Sequence, residues 1–326
     1  MNSIITITNE YNNRNIVRVF GEVVTAGEVT TENGMIATFV ASQDVRESSR
    51  KLYVRTLSQY FAWVKETNRV WGELTRNDIL EYKDFLLGKG LSNLTISSYL
   101  TVVRKFYEWT EANKIYPNIA KAIKTPSRKQ AFKKEHLTDD KSKELLNYFC
   151  QKSLRDFAIV NLLLRTGLRT IEIVRANVSD IETRNGRTIL KVWGKGKDGK
   201  EDFVILSEKA LEPIKKYLST RKNLTTNAPL FASESNRNKN GRLTTRMISK
   251  ICKEGMQSIG IDSKAFTAHS LRHTAAVAIL NHGGTITDVQ NVLRHSSPVT
   301  SQIYVESIKE ELRLKNAPEF VIDNAY

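Results

Sequence analysis

The alternation of apolar and polar positions changes period along the chain, and the changes mark its organisation. Residues 1–34 contain two short runs of period two, SIITIT and IVRVFGEVV, set between Asn-rich and Gly-containing stretches. This pattern predicts an N-terminal arm that is short β or partly disordered. From about residue 35 the period becomes helical. SSRKLYVRTLSQYFAWVKE places Leu52, Leu57, Tyr60, Phe61 and Val64 on one face behind Ser48 or Ser49 as a cap. TRNDILEYKDFLLGKG opens with Thr75 and Asp78 at capping-box spacing and closes on Gly88 and Gly90. SNLTISSYLTVVRKFYEWTEAN carries Leu100, Val103, Phe106, Tyr107 and Trp109. A bundle of about four helices over 35–120 follows from these signals.

The stretch 121–134, KAIKTPSRKQAFKK, holds Lys121, Lys124, Arg128, Lys129, Lys133 and Lys134 and no acid, with Pro126 as a helix stop. It reads as a basic linker. A second domain, 135–326, opens on a helix capped at Thr138. It continues through SLRDFAIVNLLLRTGLRTIEIVRANVSDI, two helices broken at Gly167. RTILKVWGKGKDGKEDFVIL has two β-branched runs around a Gly/Lys-rich turn and predicts a hairpin. Helices are expected again at 208–220, 244–258, 268–281, 287–294 and 298–308, and a tail from about 309. The fold class is therefore mainly α with a small β hairpin or sheet in the second domain, and no repeat of fixed period is visible.

Charge adds the first functional constraint. The chain has 50 Lys+Arg against 35 Asp+Glu, a net charge of +15. Residues 1–34 are net acidic, while 35–126 and 127–326 are both net basic. An excess of this size favours a polyanionic partner, foremost nucleic acid. Only two cysteines occur, Cys150 and Cys252, too few for a disulfide framework. No apolar run has the length of a membrane span and the first residues lack the features of a secretion signal, so a cytoplasmic protein is expected.

Four of the five histidines, His269, His273, His282 and His295, fall within 27 residues. His269 and His273 have the i, i+4 spacing of a helical metal pair, but neither a glutamate between them nor a nearby cysteine completes a site. His282, before Gly283-Gly284, suits a helix C-terminus. Another reading starts from Arg272, within TAHSLRH, and Arg169, just past a glycine break in LLLRTGLRTIEI. Two guanidiniums from separate elements can grip one phosphate bidentately. A phosphate so neutralised is open to attack by a hydroxyl, and LRHSSPVTSQIYVES supplies Tyr304 nine residues after His295.

The set TGLRTIEI, GKGK, HSLRH and LRHSSPVTSQIY, in this order, resembles the catalytic domain of the tyrosine recombinases, the phage integrase family of site-specific DNA recombinases. The preceding bundle resembles their SAM-like core-binding domain, and the likeness extends over roughly residues 35–310. It implies a two-domain clamp on DNA. It also implies that Arg169 and Arg272 hold the scissile phosphate, that Tyr304 is the nucleophile, and that His269 and His295 assist. Lys195 would be the general acid, with Lys197 and Lys200 as alternatives on the same hairpin, and Glu172 would orient Arg169 or a neighbouring histidine. Two positions depart from the family pattern: Arg294 stands where glycine is frequent, offering a phosphate contact or a reshaped turn before His295, and Thr170 and Ile173 flank Glu172.

The resemblance further implies cleavage and rejoining through a 3′-phosphotyrosyl link, with neither metal nor ATP and no other cofactor. The expected partner is double-stranded DNA with paired inverted half-sites, bound by a homotetramer assembled from monomers or weak dimers, with accessory proteins in some systems. The six basic residues of 121–134 and Arg294 are the candidate DNA contacts. Integration, excision, inversion and resolution remain open, with a prokaryotic, phage or mobile-element origin and a place at the nucleoid. The competing readings are a catalytically idle DNA-binding protein of this fold and a type IB topoisomerase-like relaxase.

Overall fold

The computed structural model describes residues 7–8, 16–19, 22–24, 31–127, 135–194, 199–222, 224–295 and 309. The chain divides into two compact units, Met1–Ala131 and Phe132–Tyr326. In the first, strands β1 (Ile7–Thr8), β2 (Ile16–Val19) and β3 (Glu22–Val24) form a small antiparallel sheet in that order, with Ile7 opposite Val17 and Val17 opposite Val24. Helix α1 (Glu32–Ser42) begins inside the segment read as an arm, because Thr31 accepts a hydrogen bond from the Gly34 amide at 3.2 Å and supplies its cap.

Helices α2 (Glu47–Glu66), α3 (Arg76–Gly88) and α4 (Asn93–Ala112) complete a four-helix bundle. Ser48 and Ser49, expected to cap α2, lie in its first turn. The extended residue at its start is Arg46, whose carbonyl accepts from the Ser49 and Arg50 amides at 2.8 and 3.0 Å. Glu47 suits the positive end of the helix without a side-chain cap. α3 starts as expected: Asp78 accepts from the Thr75 amide and hydroxyl, both at 2.7 Å. The bundle core is built of rings, with Tyr60, Tyr82, Phe39, Phe106 and Tyr107 all fully buried. The Tyr60 and Tyr107 hydroxyls satisfy each other at 2.7 Å.

The basic stretch read as a linker from residue 121 is anchored to this bundle as far as 127. Ile123 is buried in the core, its carbonyl accepts from Arg104, and the Ser127 carbonyl accepts from Asn93 Nδ2 at 2.8 Å. One apolar residue among lysines is enough to hold it down.

Among the described residues, the second unit contains α5 (Asp139–Lys152), α6 (Leu154–Thr166), α7 (Thr170–Arg175), a sheet, then α8 (Glu208–Ser219), α9 (Thr245–Ser258), α10 (Ala268–Asn281) and α11 (Ile286–Leu293). The sheet has three antiparallel strands, β4 (Ile181–Arg184), β5 (Arg187–Val192) and β6 (Asp202–Ile205), in sequential order. The hairpin expected from the sequence is β5–β6. β4 is additional, joined to β5 by Asn185-Gly186 with φ of +50° and +73°, the pair that a two-residue hairpin turn demands. α6 is central, packed by α5, α8 and α10. Ile159, Leu162 and Leu163 from α6 lie with Leu190, Ile214 and Leu271 in an aliphatic core.

Candidate active site

α6 stops at Gly167, whose φ of +59° breaks the helix and whose amide still bonds to the Leu163 carbonyl at 2.9 Å. A Cβ at this position would lie 2.3 Å from Leu293 Cδ2, so only glycine lets the end of α11 come this close. Leu168 is buried, and Arg169 becomes the N-cap of α7. Its amide donates to Glu172 Oε2 at 2.7 Å and its guanidinium to Oε1 at 3.1 Å. The Glu172 side chain is wholly buried, whereas that of Arg169 stays 30% exposed. The carboxylate thus fixes the root of Arg169 while part of the guanidinium faces outward.

The opposite wall is α10. Thr267 caps it, accepting from the His269 amide at 3.2 Å, and Ser270 Oγ accepts from the Thr267 amide at 3.0 Å. His269 is exposed in the first turn. One turn later, Arg272 and His273 are buried. Arg272 donates Nη1 to the Gly167 carbonyl and Nη2 to the Leu293 carbonyl. It therefore joins the α6–α7 break to the end of α11. His273 lies beside His136, ring centroids 5.5 Å apart.

α11 ends in Arg294, a non-glycine residue at φ +54°. Expected as a DNA contact, its side chain is instead bound to a carboxylate: it is 8% exposed and donates to Glu172 Oε2 at 2.7 Å. Burial lowers the pKa of this guanidinium; the charge of Glu172 opposes that effect, and that of nearby Arg169 adds to it. Arg294 also lines a groove of about 400 Å³ between β6 and α11. His295 follows, buried, with its amide donating to the Gln290 carbonyl at 3.1 Å. Arg169, Glu172, Arg272, Arg294 and His295 are thus linked through three chain segments far apart in sequence.

Other expected residues sort differently. Lys200 is bound to the buried Asp180, with Nζ 2.7 Å from Oδ1. Lys195 and Lys197 lie outside the described residues, as do Tyr304, Arg128, Lys129, Lys133 and Lys134. Lys121 and Lys124 are exposed in the first unit. His282 is the helix-end residue expected, with Nδ1 2.8 Å from the Ala278 carbonyl. Among the described residues no cluster of three or more His, Cys, Asp or Glu is placed to hold a metal ion, and no helix is long and apolar enough to cross a membrane.

Two contacts had no sequence signal. Arg294 and Glu172 are 122 positions apart. Arg175, at the end of α7, stacks on the Trp193 ring at 4.6 Å and donates to the Gly194 carbonyl at 3.3 Å, tying α7 to the start of the β5–β6 connection.

Residues 135–311 match the phage integrase family, and residues 38–114 match the phage integrase N-terminal SAM-like domain. The chain belongs to the phage integrase family. Among relatives in this family, it is 31% identical over 272 residues to tyrosine recombinase XerD of Oceanobacillus iheyensis, which covers 80% of this chain and 88% of that protein. Tyrosine recombinase XerC of Thermodesulfovibrio yellowstonii is 30% identical over 262 residues, covering 78% of this chain and 84% of that protein. The crystal structure of XerH site-specific recombinase bound to palindromic difH substrate, a post-cleavage complex, superposes with a TM-score of 0.70 at 18% identity, covering 89% of this chain and 85% of that one. At that identity the likeness is one of fold. The family and fold class read from the residues are borne out.

Proposed function

We propose that this phage integrase family member is a site-specific DNA recombinase working through a 3′-phosphotyrosyl intermediate. The observation that carries the reading is Arg272 joining the Gly167 carbonyl, two residues before Arg169, to the Leu293 carbonyl, two residues before His295, in a chain whose relatives are tyrosine recombinases. In the reaction, Tyr304 Oη attacks the scissile phosphorus, the phosphotyrosyl bond forms and the P–O5′ bond breaks. The tyrosine proton passes to His269, and Lys195 protonates the departing 5′-oxygen. Arg169, Arg272 and His295 bind the non-bridging oxygens, where charge grows in the transition state. Removing one such donor costs roughly 3–4 kcal/mol of barrier. The phosphotyrosyl bond retains the phosphodiester energy for rejoining, so the cycle draws on neither ATP nor metal.

The substrate in this reading is duplex DNA with paired inverted half-sites. Lys121, Lys124 and the basic residues up to Lys134 lie along its backbone, and four copies of the chain assemble on two sites, aided by accessory proteins in some systems. The work takes place in the cytoplasm, at the nucleoid.

The test is an SDS-resistant, protease-sensitive complex on DNA flanking the protein's own gene. Wild type should form it and Tyr304→Phe should not, with noncovalent binding retained. Specific binding without any covalent complex on a verified site would replace this reading with that of an idle DNA-binding protein. Relaxation of supercoils without joining of two sites would favour the topoisomerase-like one.

A further inference from the structure

Arg294 is an unusual residue to find where it is. Its backbone is left-handed, a conformation that disfavours any residue with a Cβ. Its guanidinium is buried, and among the described residues Nε has no hydrogen-bond partner. Buried ion pairs are poor stabilisers compared with apolar replacements, and a buried donor left unbonded is a cost. Glycine would serve this helix end better in every local respect. The compensation lies in what Arg294 touches: Glu172, whose two oxygens also take the amide and guanidinium of Arg169.

We infer that Arg294 is a positioning residue for cleavage, sharing Glu172 with Arg169 so that the cluster stays cationic and the Arg169 and His295 segments stay in register. The inference rests on the recombinase reading and deepens it. The charge argument is simple. Arg169 paired with Glu172 alone is a neutral unit, and a neutral unit attracts a phosphate weakly. With Arg294 the trio carries a net positive charge, and Glu172 Oε2 is divided between the Arg169 amide and the Arg294 guanidinium. Arg169 then keeps its fixed root with more of its charge available to a phosphate. The geometric argument is equally direct, since Arg294 precedes His295 in the chain and its bond to Glu172 pins the end of α11 to the start of α7.

The experiment uses full-length protein and a nicked suicide duplex taken from the flanking DNA on which wild type forms the covalent complex. Arg294→Gly suits the left-handed backbone, so its thermal midpoint should equal or exceed that of wild type. At saturating protein its rate of covalent-complex formation should fall roughly 10- to 100-fold, the scale seen for the outer partners of metal ligands, while noncovalent affinity stays nearly unchanged. Arg294→Lys should recover most of the rate. In a Glu172→Gln background, Arg294→Gly should have a much smaller effect, because the residue through which it acts is gone. A Gly variant within 2-fold of wild type, or parallel losses of rate and thermal midpoint with no rescue by Lys, would overturn the inference. If wild type itself forms no complex on a verified site, the recombinase reading fails first and this one with it.

Discussion

The first unit closes its core with aromatic rings and the second with aliphatic side chains, yet it is the second that buries charge. Among the described residues, the polar groups buried in the bundle are the neutral Thr56, Ser97 and Thr110. In the second unit Arg155, Glu172, Asp180, Arg272, His273 and His295 are buried. Rings interlock edge to face, as Phe106 does with Phe39 and Phe61, and fill space without needing partners. Buried ions need every partner placed, and supplying them links distant segments. The bundle is therefore organised by shape, and the second unit around its site by bonding.

The difference can be broken from either side. Phe106→Ala removes the ring that meets Phe39, Phe61, Tyr107 and Trp109. It should cost the bundle about 3–5 kcal/mol in urea unfolding. Tryptophan fluorescence should report the loss, since Trp63, Trp71 and Trp109 lie in this unit and only Trp193 in the other. Arg272→Ala should cost the second unit roughly 3 kcal/mol, because the Gly167 and Leu293 carbonyls lose their donors. That loss should be visible in circular dichroism with little change in the fluorescence transition, and covalent-complex formation should disappear. Equal responses of both probes to both variants would erase the distinction between the units.

Acid sharpens the comparison further. Burial raises the pKa of Asp78, but hydrogen bonds from the Thr75 hydroxyl and amide and from Arg69 outweigh it and hold the carboxyl below the usual range. Such a group contributes stability above its unfolded pKa, about 3.9 for an aspartate, and the contribution fades as pH falls through the depressed folded value. Asp78→Asn should destabilise the bundle by about 1 kcal/mol at pH 7, with the gap to wild type closing in stronger acid. Asp288 accepts from the Thr285 amide and hydroxyl in the same arrangement, which also lowers its pKa. Among the described residues it has no arginine analogous to Arg69, so the effect of Asp288→Asn on the second unit should be smaller. The smallest signal is chemical. Burial pushes the Cys252 thiol up to about 12, while Cys150 is exposed. One equivalent of an alkylating reagent should react with native protein at pH 8, and two with unfolded protein. A rapid second equivalent in native protein would mean that the aliphatic core opens readily.

How much of this was readable in the chain depended on the range over which each signal acts. α3 was legible because Thr75, Asp78 and Gly90 are local devices within sixteen residues. The start of α2 was not, since Ser48 and Ser49 imitate a cap that the helix does not use. β4 was overlooked although Asn185-Gly186 is a strong hairpin signal; its strand is short and exposed toward the turn, with little apolar pattern. Glu172 was legible as an orienting residue because its partner is three positions away. Its second partner could not be read, because nothing local to Arg294 indicates a carboxylate 122 residues earlier.

The two bonds of Arg272 also have a consequence in time. The arginine holds the carbonyl of Gly167 and that of Leu293. During synthesis at ~5–20 residues per second, the chain between them takes on the order of 6–25 s to emerge. Until Arg272 emerges the Gly167 carbonyl lacks this donor, and until Leu293 follows the arginine cannot join the two segments. On the function proposed above, a nascent chain, even one whose bundle has folded, is therefore unable to cut DNA.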